Sequence, residues 1–222
     1  VRRWSMLLFD ARPGTALDRL IPGPAAVRAV ALAGESLADL HAAGVELPVS
    51  HARSREIETL DRWLACAVRA CPEMAGRLEA ARRRLAAVLS DRVAGRPVPS
   101  HRDYHPGQLL VAPRGVTILD LDTAAMAEPE LDAGNFLAHL DLFELDSRSV
   151  RSVELGEVFR AAYERRAGRR LEPRRLLWYR AGAVLRLACV YRFRPRGAVL
   201  GTLLTRRCLD LLGSPATSLE VI

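Results

Sequence analysis

Apolar residues recur at helical spacing along most of this chain. Over residues 25–43, Val27, Val30, Ala31, Gly34, Leu37, Ala38 and His41 fall on one face, which predicts an amphipathic helix with His41 as a hydrogen-bonded core residue. A second helix is predicted over Ser54–Arg69, ending near Pro72. A third is predicted over Glu73–Val93, where Met74, Leu78, Ala81, Leu85 and Val88 align. Beyond residue 129 the pattern resumes in four further helices: Glu130–Leu145 with Phe136, Leu137, Leu140 and Phe143 inward, Val150–Arg166, Pro173–Arg192 and Ala198–Leu212. Gly168, Pro195 and Gly197 punctuate the last three. One stretch departs from this period. Leu109–Val111 and Val116–Leu119 are short apolar runs either side of Ala112-Pro113-Arg114-Gly115, a hairpin signal. The predicted fold class is mainly α with a small β-hairpin.

The hairpin is where chemistry gathers. Paired symmetrically about Arg114, it sets Leu110 opposite Ile118 and Gln108 opposite Asp120, with Cβ atoms about 4.5–5.5 Å apart. An amide oxygen and a carboxylate oxygen then meet at one point. That donor pair suits Mg2+, a hard cation that takes one or two carboxylates and fills its shell with phosphate oxygens and water. Asp103 lies just upstream, on the loop entering the first strand. There it can accept a hydroxyl proton, or orient the hydroxyl for in-line attack on a γ-phosphoryl group. Taken singly, each Asp reads as an ordinary turn residue; the offset and the hairpin together argue for a site.

The spacing matches the H-R-D-x-x-x-x-N catalytic loop of protein kinases, with His101, Arg102, Asp103 and Gln108 in the four places and Asp120 as the later metal-binding Asp. The fuller stretch His101-Arg102-Asp103-Tyr104-His105-Pro106-Gly107-Gln108 resembles the H-G-D-x-H-P-G-N loop of the aminoglycoside phosphotransferase and choline kinase-like family. Leu119-Asp120-Leu121-Asp122 is similar to the metal segment of that family, and Glu128-Pro129-Glu130-Leu131-Asp132-Ala133 to the stretch that follows it. Upstream, Met6–Gly14 resembles the strand and hinge between the lobes, and Leu37-Ala38-Asp39-Leu40-His41 the helix after it. The resemblance implies the C-terminal lobe of a protein-kinase-like α+β fold, spanning 1–222 and beginning at a hinge near residues 5–14. It further implies Asp103 as the catalytic residue, Gln108 and Asp120 as metal ligands, and His101, His105, Asp122 and Asp132 as supports. Mg2+ and ATP are the implied cofactors, and a small-molecule hydroxyl the implied acceptor.

The N-terminal nucleotide lobe of such an enzyme supplies a Gly-rich loop and a strand Lys. Neither is found here: all 33 basic residues are Arg. The expectation is a catalytic lobe without its nucleotide lobe, inactive in isolation; the competing expectation is a noncatalytic remnant or binding module of the same fold.

Composition narrows the alternatives. Half of the residues are apolar and 27% are charged, as in ordinary globular domains. No apolar run reaches the roughly 20 residues that span a bilayer, and no signal-peptide pattern opens the chain. Cys66, Cys71, Cys189 and Cys208 form neither a C-x-x-C pair nor a disulfide framework, so free thiols and a cytoplasmic location are expected. The net charge of +7 invites a nucleic-acid reading, but the arginines are dispersed, aromatics are 5%, and no recognition signature occurs. No specific nucleic-acid partner is expected. Glu128, Asp141, Glu144 and Asp146 read either as an acidic wall for a cationic acceptor or, as exposed carboxylates on a helix usually do, as a solvated face; the basic chain as a whole is a poor long-range match for polycations.

Overall fold

The computed structural model describes residues 11–88, 95–113, 115–147, 150–195 and 197–213. It begins with strand β1 (Thr15–Ala16) and the one-turn helix α1 (Leu17–Leu20), followed by α2 (Ala26–His41), α3 (Arg53–Ala70) and α4 (Ala75–Val88). Strands β2 (Val98–Ser100), β3 (Leu109–Ala112), β4 (Gly115–Ile118) and β5 (Ala125–Ala127) occupy the middle. Helices α5 (Pro129–Ser147), α6 (Ser152–Ala167), α7 (Pro173–Tyr191) and α8 (Gly197–Gly213) complete it. The hinge expected near residues 5–14 falls mainly on residues 1–10, outside the described residues.

α5 organises the molecule because it is buried on nearly all sides, its polar residues Glu130, Asp132, Asn135 and Asp141 included. Leu131, Ala138 and Leu142 join one core with α3, α4, α7 and α8. Ala133, Phe136, Leu137 and Leu140 join another with α2, α6, the loop residue Tyr104 and Leu109 of β3. Phe136 and Phe159 stack with centroids 4.2 Å apart in that second core. Two glycines set the helix spacing. A Cβ on Gly34 of α2 would lie 2.4 Å from the Phe159 carbonyl of α6, and one on Gly134 of α5 would lie 2.7 Å from the backbone nitrogen of Arg180 in α7. The first turn of α5 is thereby fixed in space, and it lies directly under the catalytic loop.

The helices follow the sequence period closely, with three differences. Val27 is exposed, because the buried stripe of α2 runs through Ala26, Ala29, Val30, Ala33 and Leu37. The third helix is preceded by a 3-10 turn at Pro72–Met74, so α4 proper starts at Ala75 and is described to Val88. The expected hairpin is joined by more strand than the pattern predicts: β1 extends it to an antiparallel sheet β1-β3-β4, and β2 pairs with β5 in a second sheet. Both extra pairings are two or three residues long, too short to show a period of two.

Candidate active site

The His101–Gln108 loop is held from beneath by Asp132. This carboxylate is fully buried in the first turn of α5 and accepts the backbone N–H groups of His101 at 2.8 Å and Arg102 at 2.7 Å. His41 adds a third contact, Nε2 to Asp132 Oδ2 at 3.3 Å, while its Nδ1 lies 2.9 Å from the Tyr163 hydroxyl. Ionised carboxylates that accept several N–H bonds make some of the stronger hydrogen bonds in proteins. Arg102 has φ +71°, a region costly for residues with a Cβ and open to glycine. That explains why a small residue suits this position. Arg102 remains tied down by its side chain, whose Nη1 donates to the Thr123 carbonyl at 3.0 Å, while the Thr123 hydroxyl donates to the His101 carbonyl at 3.0 Å.

His101 joins the two halves of the site. Its Nε2 donates to the Leu119 carbonyl at 2.7 Å, and its Nδ1 accepts the Asp103 N–H at 3.3 Å. One buried imidazole therefore spans from the residue carrying the loop carboxylate to the residue just before Asp120.

The hairpin register differs from the symmetric expectation. Ala112 pairs with Gly115, Leu110 with Thr117 and Leu109 with Ile118, so Gln108 lies opposite Leu119, whose N–H donates to the Gln108 carbonyl at 2.9 Å. The turn holds two residues instead of three, and Gly115 takes φ +141° to close it. Gln108 and Asp120 meet nonetheless. Asp120 leaves the strand at φ +57°, and Gln108 Nε2 donates to its Oδ2 at 3.2 Å. A half-turn of that amide exchanges its nitrogen for its oxygen. The donor set, one exposed carboxylate and one amide, fits Mg2+ completed by phosphate and water. Among the described residues no group of three or more His, Cys, Asp or Glu side chains could hold a metal by itself.

Asp103 keeps 44% of its side-chain surface, and its Oδ2 lies 3.7 Å from His105 Nε2. Asp122 is exposed on a turn closed by the Ala124 N–H to the Leu121 carbonyl, and among the described residues it makes no hydrogen bond or ion pair. The structure thus gathers His101, Asp103, His105, Gln108, Asp120 and Asp132, and leaves Asp122 aside.

Two residues of this neighbourhood escape the sequence pattern. Asn135 donates from Nδ2 to the Tyr104 carbonyl at 3.2 Å, and its Oδ1 accepts Arg186 Nη2 at 2.7 Å. His139, one turn further along α5, stacks on His105 with centroids 4.5 Å apart and planes 14° apart. A polar pair at i, i+4 set among Phe136, Leu137, Ala138 and Leu140 is the signal that could have found them.

The acidic wall is not available to a ligand. Asp141 is fully buried between Arg180 at 2.8 Å and Arg207 at 2.6 Å. Glu144 pairs with Arg207 at 2.6 Å; burial pushes its carboxyl up, but Arg207 and Ser152 outweigh this and hold it below the usual range. Glu128 takes Arg53 at 2.9 Å and the Tyr179 hydroxyl at 2.7 Å. Asp146 is exposed and also engaged within the chain. Glu128, Asp141 and Glu144 are thus paired with arginines of the same chain.

The sequence profile of the phosphotransferase enzyme family (APH) matches residues 1–179. No curated protein matches the chain. Among solved structures, a choline/ethanolamine kinase family protein from Mesorhizobium loti superposes with a TM-score of 0.66 at 17% identity, over 93% of this chain and 68% of that one. A glucosamine kinase in complex with glucosamine, ADP and inorganic phosphate gives 0.59 at 21% identity, over 88% of this chain and 57% of that one. An aminoglycoside-3'-phosphotransferase of type VIII gives 0.57 at 20%, over 77% and 65%. At these identities the likeness speaks for the fold, that of the C-terminal lobe of protein-kinase-like enzymes. With the profile covering most of its length, the chain belongs to the phosphotransferase enzyme family.

Proposed function

We propose that this chain is the catalytic-loop and acceptor-binding lobe of an ATP-dependent kinase that phosphorylates a hydroxyl of a small metabolite. The observation that carries the reading is the His101 imidazole, which holds the Asp103 backbone and the strand end before Asp120 within the reach of one ring. Asp103, partly open to solvent, receives or orients the acceptor hydroxyl. Gln108 and Asp120 hold Mg2+, which when bound neutralises charge on the transferring phosphoryl group. Asp132 and His41 keep the loop from shifting as the acceptor docks. ATP as donor is supported by the ADP in the similar glucosamine kinase structure. The neutralised carboxylates of α5 favour a sugar or amino alcohol over a polycation. Cys66, Cys71, Cys189 and Cys208 are all free, which suits a reducing compartment, and the proposed location is cytoplasmic.

No lysine occurs in the 222 residues, so a phosphate-anchoring Lys has to come from outside this sequence. By itself the chain is expected to show little transfer from Mg-ATP to choline, ethanolamine or glucosamine. In a polypeptide that joins it to a nucleotide-binding lobe, Asp103→Asn lowers kcat by about 10²–10⁴ and leaves nucleotide affinity largely intact. Wild-type turnover by that variant would remove Asp103 as the base.

A further inference from the structure

We propose that His139 is a positioning residue for Asp103, acting through His105. The inference rests on the phosphotransferase reading only for its catalytic consequence; the arrangement itself is read from geometry.

The Gly107 N–H donates to His105 Nδ1 at 3.1 Å, so that nitrogen carries a lone pair and the proton of the neutral ring sits on Nε2. Nε2 is the atom that faces Asp103 Oδ2 at 3.7 Å. His105 is thereby a donor aimed at one carboxylate oxygen, which leaves the other for the acceptor hydroxyl. The separation is long for a hydrogen bond, as catalytic contacts often are before substrate arrives. Gly107 is required for this seat: a Cβ there would lie 2.9 Å from His105 Cε1.

A histidine on a loop can rotate by half a turn about its Cβ–Cγ bond and lose such an arrangement. Here the ring lies flat against His139, and His139 is itself fixed. Its Nδ1–H donates to the Asn135 carbonyl at 2.9 Å, one turn back on α5. The Asn135 side chain in turn holds the Tyr104 carbonyl, next to Asp103 in the loop. Asn135 and His139 therefore present one face of the central helix to residues 104 and 105. Burial, with His105 next in importance, pushes the His139 imidazolium down to about 3, so at neutral pH the stack is a neutral pair free of mutual repulsion. Arg186 and Arg194 add to that depression from the surrounding side.

The test uses the chain alone, without nucleotide or acceptor. Long-range ¹H–¹⁵N spectra of the histidine side chains report which ring nitrogen of His105 carries the proton. Wild type and His139→Phe, which keeps a flat ring, are expected to show a single His105 species protonated on Nε2. His139→Ala is expected to show averaging between the two nitrogens. Should His139→Ala fail to fold, His139→Leu fills the volume without a flat face and is expected to average likewise. An unaveraged Nε2–H species in whichever of these two variants folds overturns the proposal, as does wild-type His105 protonated on Nδ1. In a turnover-competent form, His139→Ala should lower kcat by about tenfold or more at unchanged acceptor KM, with His139→Phe recovering most of the loss. Unchanged kcat there would reduce the stack to packing. A locked His105 in a competent form that never transfers phosphate would instead sink the functional reading and leave the geometry standing.

Discussion

Asp132 and Asp120 are carboxylates of one site, and they stand at opposite extremes. Asp132 has no exposed surface and satisfies two backbone N–H groups and an imidazole. Asp120 is exposed, sits at a positive φ, and touches Gln108. On the proposed function, the difference separates a residue that holds the loop from one that meets the cation. A group that holds a loop gains by being buried and fully partnered, whereas a group that meets a cation and a phosphate has to keep lone pairs free.

The sharpest way to break this comparison is to delete each carboxylate in turn. Asp132→Ala orphans the buried N–H of His101 and the half-buried N–H of Arg102, and at about 1–3 kcal/mol for a buried donor the loss of stability is about 2 to at most 6 kcal/mol. Asp120→Asn, which removes the charge but keeps a side chain tolerated at φ +57°, should change stability by less than about 0.5 kcal/mol. Urea unfolding midpoints measure both. Equal losses would erase the distinction between the two residues.

A second test concerns acid stability. His139 has a folded-state pKa of about 3, below its ordinary value of 6.5, chiefly because it is buried and secondly because His105 adjoins it. Between these two values the unfolded chain binds a proton that the folded chain refuses, so stability falls as pH drops from 6.5 towards 3. The slope from this one group reaches at most about 1.4 kcal/mol per pH unit. His139→Phe should flatten that limb relative to wild type, measured by unfolding at pH 7, 5.5 and 4. Parallel limbs in the two proteins would contradict the burial of a neutral imidazole.

A small effect is expected at Arg102 as well. Replacing it by Gly relieves the cost of φ +71°, yet it gives up the bond to the Thr123 carbonyl and adds freedom to the unfolded chain. These contributions nearly cancel, so Arg102→Gly should shift stability by no more than about 1 kcal/mol. A larger loss would mean that the arginine side chain itself braces the loop.

The residues proposed to act were easier to single out in the sequence than those that hold the loop. Asp103, Gln108 and Asp120 stand at offsets that a motif fixes, and the helices announce themselves through their period. The hairpin register was misjudged by one residue because Ala112-Pro113-Arg114-Gly115 accommodates a two- or three-residue turn equally well on sequence alone. Asn135 and His139 were missed because a polar pair on a helix ordinarily faces water, and their partners lie on the distant catalytic loop and α7. The acidic residues of α5 were misread for the same reason: Arg180 and Arg207 lie 39 and 66 residues beyond Asp141. Local pattern carries identity and spacing, while charge compensation depends on which distant helix packs alongside.

The proposed function stands or falls on Gln108 and Asp120 forming a cation site with Asp103 beside it. Titrating Mn2+ into the ¹⁵N-labelled chain tests it directly, since the paramagnetic ion broadens the amide signals of nearby residues even when binding is weak. The account predicts that the signals of Asp103, Gln108 and Asp120 broaden first and together, and that Asp120→Asn abolishes the effect. Broadening centred elsewhere, or at Asp120 without Asp103 and Gln108, would contradict it.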